Sequence, residues 1–392
     1  MDQSLPQALT GVRVVSCGQI LAAPYCSTML AEFGAEVIKV EQPGVGDPNR
    51  DNLSFWQDNR GQKSVTIDLR VPDGNALFRR LCDTADIVIE NFRPGTLESW
   101  GLAPDSLRES NPRLISVRIS GYGQTGPYKD KASFDRVALA FSGMTYTTGY
   151  GDRPPVRPGF FVADYGAGIY AAFGALAALQ ARQHTGLGQD VDVALYEAAF
   201  RMSGTYIGGY GQTGEGRERS GNFFPGVVPA EQFETADGHY LVINCTTQRA
   251  FVRLCEAMDQ PGLATDERFS PRRNLVKNAH AMHGILGAWV GARTLAEAQA
   301  RLDEFGCPAT KVYSAADIVA DPQYAARDQV VTVESLAYGP TLQPGVVPRL
   351  TATPGRIPFR APSLGEHNDE VFGGLLGISA DEITRLQSAN II

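Results

Sequence analysis

Asp164 is the residue whose type and setting best suit covalent chemistry. It lies in the segment FVADYGAG, directly before the apolar stretch Ala167–Ala181, which predicts a buried helix. An aspartate at a helix start can cap the helix by accepting backbone N–H hydrogen bonds. The helix dipole and those hydrogen bonds would also hold the carboxylate ionised, and Gly166 and Gly168 would let a bulky electrophile approach it. Capping and nucleophilic attack are compatible, so both interpretations stay open.

Asp135 is a second candidate carboxylate. It lies in SFDRVALAFSG, again just before an apolar stretch that predicts a helix. Capping of that helix explains it as well as a catalytic role does.

The motif ENFRPG, residues 90–95, combines groups that suit a nucleotide-bearing ligand. Asn91 can hydrogen-bond to a base or amide, Phe92 can stack on a ring, and Arg93 can pair with phosphate. A plain turn at the end of a strand explains the same residues.

The segment GVGDPNR, residues 44–50, follows a predicted strand and ends on Arg50, a candidate for phosphate contact. It has neither the spacing of a dinucleotide-binding fingerprint nor the Lys-Ser/Thr pair of a P-loop. A plain loop is therefore an equal alternative.

Composition and charge exclude several classes of function. The net charge of −8 over 392 residues argues against nonspecific binding of nucleic acid or anionic membranes, which requires dense basic surface. The six cysteines form no CxxC pair, and no HExxH motif is present, so we expect a metal-free enzyme. We see no secretory signal and no apolar run long enough to cross a membrane, which predicts a cytoplasmic protein.

Strand and helix signals alternate through the first half of the chain. This order predicts an α/β fold with an open parallel sheet, because parallel strands need crossover helices. Ligands of such sheets bind beyond the carboxyl ends of the strands. The predicted strands cover residues 14–17, 37–40, 64–69, 86–89, 114–119 and 190–195, and the segments expected to bind ligands are 16–19, 41–50, 91–95 and 120–125.

A change of composition divides the chain. Residues 1–202 are predicted to form the first part of a large domain, and the glycine-rich residues 203–230 a mobile linker. Residues 231–325 predict a smaller α+β domain with a hairpin at Asp237-Gly238. Residues 326–392 are predicted to return to the large domain.

Taken together, these segments resemble the family III CoA-transferases, which include the formyl-CoA, carnitine and succinyl-CoA-dependent transferases and the 2-methylacyl-CoA racemases. The resemblance spans nearly the whole chain, and its specificity comes from many blocks in the expected order. They are VRVVSCGQILAAPYCSTMLAEFGAEVIKVEQP, NRGQKSVTIDL, ADIVIENFRPGTLESWGL, NPRLISVRISGYGQTGPY, TGLGQDVDVALYEAA and PSLGEHNDEV.

The resemblance implies a Rossmann-like large domain that binds CoA, and an interlocked homodimer or a heteromer with a homologous subunit. It implies that Asp164 carries the acyl group as an anhydride and then CoA as a thioester, with Asp135 close by. The CoA thioester would be a substrate, with no tightly bound cofactor. By position, the residues implied near CoA are Gln19, Ile20, Leu21, Asn91, Phe92 and Arg93, with Arg50, Lys63 and Arg70 as further phosphate contacts.

The blocks are most similar to transferases that use succinyl-CoA with another dicarboxylate, such as malate, citramalate or benzylsuccinate. Binding the second carboxylate requires a cation, and Arg136, Arg157 and Arg219 are candidates, although each is more simply explained as a surface arginine. The pairs Phe160-Phe161 and Phe223-Phe224 could line a pocket for an aromatic acid or belong to the core.

Two alternative functions remain. In the racemases the residue before the position of Asp135 is a histidine base, whereas here it is Phe134, which cannot move a proton. The chain could also be a non-catalytic CoA-binding subunit of a heteromeric transferase.

Overall fold

The computed structural model describes residues 6–392, which form two compact units. The larger unit comprises the residues up to Thr145 together with Arg157–Glu215 and Ala326–Ile392. The smaller unit comprises Tyr146–Val156 and Gly216–Ala325. Each unit has its own hydrophobic core.

The larger unit contains a six-stranded parallel sheet, as the alternating pattern predicted. Its order is β3-β2-β1-β4-β5-β6. Strands β1 to β3 therefore extend the sheet toward one edge, and β4 to β6 extend it from β1 toward the other edge. The carboxyl ends of β1 and β4 therefore flank the switch point at which open α/β sheets bind ligands. The strands are β1 Arg13–Ser16, β2 Glu36–Glu41, β3 Gln62–Thr66, β4 Ile87–Glu90, β5 Ile115–Ser120 and β6 Asp190–Ala194.

Three further strands form an antiparallel sheet in the smaller unit, namely β7 Ala230–Glu234, β8 Tyr240–Asn244 and β9 Ala309–Lys311. In the larger unit, β10 Val330–Ser335 and β11 Gly339–Pro344 form a hairpin.

Helices cover both faces of the six-stranded sheet. The helices are α1 Ala22–Glu32, α2 Leu53–Asp58, α3 Pro72–Asp83, α4 Thr96–Ser99, α5 Pro104–Arg108, α6 Asp135–Phe141, α7 Met144–Thr147, α8 Val162–Thr185, α9 Leu195–Arg201, α10 Tyr206–Thr213, α11 Gln248–Ala257, α12 Arg272–Lys277, α13 Ala279–Gly291, α14 Leu295–Glu304, α15 Ala315–Ala320, α16 Pro322–Ala326 and α17 Ala380–Ser388, with a 3₁₀ helix at Pro261–Ala264 and a π-helix at Asp369–Leu375.

The two sheet faces bury alternate residues of each strand. Val14 and Ile89 pack with α1 and α8, whereas Val15 and Val88 pack with α3 and α17. Because successive side chains of a strand point to opposite faces, a strand buried on both sides is mostly apolar. This explains why β1 and β4 appear in the sequence as short apolar runs.

Helix α8 forms the centre of one face. Among residues 6–392 it is the one helix long and apolar enough to cross a membrane, so the sequence-based expectation of no such run is wrong. Its residues Ala167, Ala171 and Ala175 are fully buried in the core of the larger unit, which identifies α8 as a core helix. The opposite side of α8 exposes Ile169 and Phe173. The interlocked homodimer or heteromer stays a prediction.

The smaller unit is α+β, as predicted. Strands β7 and β8 pair antiparallel on either side of Asp237-Gly238, which confirms the predicted hairpin. Two elements differ from the sequence-based expectations. Residues 203–230, predicted to be a mobile linker, include α10, and residues 326–379 contain the hairpin β10–β11, for which no sequence signal was found.

Candidate active site

The turn after β1 lies at the switch point of the sheet. The backbone N–H of Gln19 donates to Oδ1 of Asn91 at 2.8 Å, and Nδ2 of Asn91 donates to the Gln19 carbonyl at 2.8 Å. The structure thus joins two residues that the sequence analysis placed near CoA, one after β1 and one after β4. Ile20 and Leu21 continue the turn into α1, and Leu21 is buried.

A cleft of about 230 Å³ opens beside this turn, at the carboxyl ends of β1, β2, β3 and β4. It contains three of the predicted CoA-contacting residues, Gln19, Arg70 and Phe92. The ring of Phe92 packs edge-on against Trp100 at 5.3 Å, which leaves an aromatic wall. The full lining is Cys17, Gln19, Val40, Glu41, Gln42, Ile67, Asp68, Leu69, Arg70, Phe92 and Trp100.

The four predicted phosphate contacts lie in different settings. Arg70 is exposed at the cleft and pairs with Asp68 at 2.8 Å. The guanidinium of Arg50 pairs with Glu41 at 2.5 Å and lies over the Phe55 ring.

Lys63 and Arg93 lie elsewhere. Lys63 is near the amino end of β3, away from the cleft, and its amine binds Glu36 and Glu370 at 2.7 Å. Arg93 is exposed and donates to the carbonyl of Asp130. The phosphate contacts assigned to all four residues stay predictions.

Asp164 is the third residue of α8 and is partly buried. It does not cap this helix. The cap is Asp135, whose Oδ1 accepts the N–H of Ala163 at 2.8 Å and the N–H of Asp164 at 3.3 Å. Within the described part of the chain, the Asp164 carboxylate accepts no hydrogen bond. The expectation that Asp164 caps α8 and is held ionised by hydrogen bonds is therefore wrong.

Burial sets the electrostatics of these two carboxyl groups. It raises the pKa of Asp164 to about 7, and the negative charge of Asp135 adds to the shift. Burial also raises the pKa of Asp135, although the N–H groups of Ala163 and Asp164 oppose this. The second oxygen of Asp135, Oδ2, is buried and has no partner among residues 6–392.

The two glycines after Asp164 have a packing role. A Cβ at Gly168 would lie 2.9 Å from the carbonyl oxygen of Ala22, and one at Gly166 would lie 2.8 Å from Cε of Met202. Both positions therefore allow close packing of α8, and the expected path for an electrophile does not run over them. Gly168 is one helical turn beyond Asp164 on the same face, so this contact also places Asp164 beside the start of α1, immediately after the Gln19 turn.

Tyr165 and Asp58 are site residues that the sequence did not reveal. The Tyr165 hydroxyl donates to Asp58 at 3.0 Å, and the Tyr165 ring packs edge-on against Tyr25 at 4.8 Å. Burial raises the pKa of Asp58 to about 6. This contact holds the first turn of α8 in addition to the Asp135 cap. No local signal links residues 107 positions apart.

The candidate cations for a second carboxylate differ in their setting. Arg157 and Arg136 both lower the pKa of Asp135 by their charge, so both lie within electrostatic range of Asp135. Arg219 belongs to the smaller unit, where it donates to the carbonyl of Tyr146. Phe134, the residue before Asp135, is 65% exposed and carries no titratable group.

The aromatic pairs are divided between surface and core. Phe160 and Phe161 are exposed, so they are not core residues of the larger unit. Phe223 packs beside His280 in the smaller unit, whereas Phe224 is exposed. Residues 6–392 contain no cluster of three or more His, Cys, Asp or Glu side chains that could hold a metal ion.

Comparisons with known proteins cover nearly the whole chain. Residues 9–368 match CoA-transferase family III. The chain is 44% identical over 400 residues to succinyl-CoA–D-citramalate CoA-transferase of Chloroflexus aurantiacus, a match that covers all of both chains. It is 42% identical over 402 residues to the succinyl-CoA–L-malate CoA-transferase alpha subunit of Chloroflexus aurantiacus, covering all of this chain and 94% of that subunit. The crystal structure of a CaiB/BaiF family protein from Brucella suis is similar with a TM-score of 0.83 and 33% identity, covering 94% of this chain and 100% of that one.

Proposed function

Because the chain belongs to CoA-transferase family III, as its sequence blocks predicted, we propose that it moves CoA from succinyl-CoA to a second dicarboxylic acid, with Asp164 as the covalent carrier. The names of the relatives support these substrates, since they pair succinyl-CoA with D-citramalate or L-malate. One observation carries the role of Asp164. Its carboxylate is partly buried beside the switch point of the sheet, and its pKa is raised to about 7.

The proposed reaction has four steps. The Asp164 carboxylate attacks the thioester carbonyl of succinyl-CoA and expels CoA thiolate, which leaves a succinyl–aspartyl anhydride. The thiolate then attacks the aspartyl carbonyl, releasing succinate and forming an aspartyl-CoA thioester. The acceptor carboxylate attacks that thioester and again expels the thiolate, giving an acceptor–aspartyl anhydride. Finally the thiolate attacks the acceptor carbonyl, which yields the new CoA ester and the free Asp164 carboxylate.

The raised pKa suits this chemistry. A carboxylate with few hydrogen bonds is more basic than a solvated one, and its electrons are more available for attack. Each anhydride conserves the energy of the thioester, so the cycle needs no nucleoside triphosphate. The intermediates are open to hydrolysis, so excluding water from Asp164 matters.

The surrounding residues have distinct proposed roles. The cleft beside Gln19 would hold the nucleotide part of CoA, with Phe92 and Trp100 as its aromatic wall and Arg70 exchanging Asp68 for a phosphate. The Gln19 side-chain amide would donate to the substrate carbonyl oxygen as negative charge develops there. Asp135 would hold the first turn of α8, and thereby Asp164, in place.

A trapping experiment tests the role of Asp164. The enzyme is incubated with succinyl-CoA and hydroxylamine without an acceptor acid, and peptide mass spectrometry locates the product. We expect an aspartyl hydroxamate at Asp164, because hydroxylamine attacks either the anhydride or the aspartyl thioester. Asp164→Asn, which has nearly the same shape, should give no adduct. A wild-type enzyme that transfers CoA without modification at Asp164 would refute the proposal.

An acceptor panel tests the substrates. Succinyl-CoA is offered with citramalate, malate, an aryl-substituted succinate and a monocarboxylate, and the CoA esters are identified by mass spectrometry. We expect a dicarboxylyl-CoA product. Incorporation of deuterium at the α-carbon of a 2-methylacyl-CoA without any acceptor would instead favour the racemase alternative. Full activity of an Asp164→Asn chain within a purified complex would favour the non-catalytic subunit.

A further inference from the structure

The turn formed by Gly18, Gln19 and Ile20, here called the Gln19 turn, is held by side chains from elsewhere in the larger unit. Asn91 binds both backbone groups of Gln19. The Asp47 carboxylate accepts the N–H of Ile20 at 3.2 Å through both of its oxygens. Nδ2 of Asn49 donates to the Ile20 carbonyl at 3.2 Å, and Nζ of Lys39 donates to the Gly18 carbonyl at 3.0 Å.

This turn has a strained backbone. Ile20 has a φ of +71°, in the left-handed region that a β-branched residue rarely adopts. Such a conformation persists only when the surrounding structure imposes it, and such residues are concentrated at functional sites. Asp47, which accepts the Ile20 N–H, and Asn49, which donates to the Ile20 carbonyl, supply that constraint.

The groups that constrain Ile20 include a fully buried ion pair. Lys39 and Asp47 lie 2.8 Å apart with no exposed side-chain surface on either. Burying two charges costs about as much as their attraction returns, so such a pair is a poor source of stability. Lys39 is itself buried inside β2, at the position paired with Ser16 near the carboxyl end of β1, where the turn begins.

The Gln19 turn presents a side-chain amide that is available to a ligand. The backbone N–H and C=O groups of Gln19 and Ile20 are already bound, so they cannot serve a ligand. The side-chain amide of Gln19 faces the cleft, and no other residue in 6–392 hydrogen-bonds to it. A turn held by these contacts therefore presents the Gln19 side-chain amide at the switch point.

We propose that the Lys39–Asp47 ion pair is a positioning device for this reaction, which holds strained Ile20 and thereby aims the Gln19 amide at the substrate. The inference rests on the proposed function, because it assumes that Gln19 acts on the CoA ester. The pair contacts no substrate itself. It acts through the backbone of the turn.

A double-mutant cycle tests this inference. Lys39→Met/Asp47→Asn removes both charges together, so neither is left buried and unpaired. We expect kcat to fall about 10- to 100-fold, because a small misplacement of a catalytic group costs that much, with little change in KM for succinyl-CoA. Gln19→Ala should lower kcat about 100-fold. Combining the two changes should cost no more than Gln19→Ala alone, since the pair acts only through Gln19.

A second ion pair provides the matched control. Asp86 and Arg182 are 2.7 Å apart at the amino edge of the same sheet, away from the turn. Asp86→Asn/Arg182→Met should change stability and leave kcat of the folded enzyme unaltered. If Lys39→Met/Asp47→Asn does not fold, Asn49→Ala replaces it in the double-mutant cycle with Gln19→Ala. Asn49→Ala removes one uncharged hydrogen bond to the Ile20 carbonyl.

The outcomes separate this inference from the proposed function. If the folded Lys39→Met/Asp47→Asn variant has the kcat of the wild type, the ion pair has a structural role only. The same holds if the combined variant loses kcat by the product of the factors that the ion-pair change and Gln19→Ala cause separately. Wild-type kcat for Gln19→Ala, with the adduct still formed at Asp164, would overturn the inference and leave the proposed function standing. Absence of the adduct would overturn the proposed function itself.

Discussion

Replacing Asp164 by asparagine should stabilise the protein at the pH where the enzyme works. Burial raises the pKa of Asp164 from 3.8 to about 7. Three pKa units correspond to about 4 kcal/mol at about 1.4 kcal/mol per unit. Above pH 7 the folded protein must keep this buried group charged, whereas asparagine of nearly the same shape is neutral. The free energy of unfolding should therefore rise by up to about 4 kcal/mol at pH 8.

The sign of the pH dependence follows from the same shift. Because the folded-state pKa of Asp164 lies above its unfolded value, the folded protein binds the proton more tightly between about pH 4 and pH 7. The stability contributed by the protonated group is fully present below the unfolded pKa and is lost as the pH rises through about 7. The advantage of Asp164→Asn should thus shrink to about 2 kcal/mol at pH 5.

Urea unfolding of both proteins at pH 5 and pH 8 measures this difference. Asp51→Asn is the control, because Asp51 is exposed on a loop of the larger unit. Its substitution should change the free energy of unfolding by the same small amount at pH 5 and at pH 8. An Asp164→Asn protein that is less stable than wild type at pH 8, or equally stabilised at both pH values, would refute the burial argument. The same variant should be inactive, so stability would rise as function is lost.

Two further predictions concern the neighbours of Asp164. In Asp135→Asn the amide oxygen can still accept the N–H groups of the first turn of α8, but the negative charge that helps to raise the pKa of Asp164 is gone. The pKa of Asp164 should fall, so the ascending limb of the plot of kcat/KM against pH should move to lower pH. An ascending limb that does not move would contradict this coupling between the two carboxyl groups. In Arg157→Gln the KM for a dicarboxylate acceptor should rise about tenfold, because losing a hydrogen bond to a charged group usually costs about that much. The KM for a monocarboxylate acceptor should stay constant. The same change at exposed Arg153 is the control, and equal effects of the two substitutions would exclude a specific role for Arg157.

The fold could be predicted well because its signals are local. Strands β1 and β4 are short apolar runs, and each predicted strand of the larger sheet overlaps an observed one. Gly186 ends α8 in the left-handed conformation, as expected for a helix-terminating glycine. The hairpin β10–β11 carries no comparable signal. Its strands have mixed polar and apolar residues and include Pro340, which weakens the strand pattern.

The site could be predicted only in part, because its hydrogen bonds join distant segments. Asp135 and Asp164 each begin a helix, so their local sequences suggest the same capping role. Only the tertiary structure shows that Asp135 caps the helix of Asp164, which leaves Asp164 without hydrogen-bond donors. Lys63 shows the same limit, because one of its carboxylate partners, Glu370, lies 307 residues along the chain.

Lys39 did leave a signal that local reasoning could have used. It is the one basic residue of the strand Glu36–Glu41, and its neighbours Ile38 and Val40 are buried. A lysine in such a strand must find an acceptor, because an unpaired buried charge is very costly. Its partner Asp47 lies in the GVGDPNR segment, which in sequence looked like a weak phosphate loop. Asp47 makes an internal contact instead, since its carboxylate accepts hydrogen bonds from Lys39 and Ile20.

Three unfavourable features therefore lie on the carboxyl side of one sheet. They are a carboxyl group with a raised pKa, a left-handed isoleucine and a buried ion pair. None is a good source of stability, and each persists because other contacts in the larger unit impose it. Tyr165 and Asp135 fix the helix of Asp164, while Asn91 and Asp47 do the same for the Gln19 turn. A site built this way holds its reactive groups rigidly, which is what the proposed transfer through a short-lived anhydride would require.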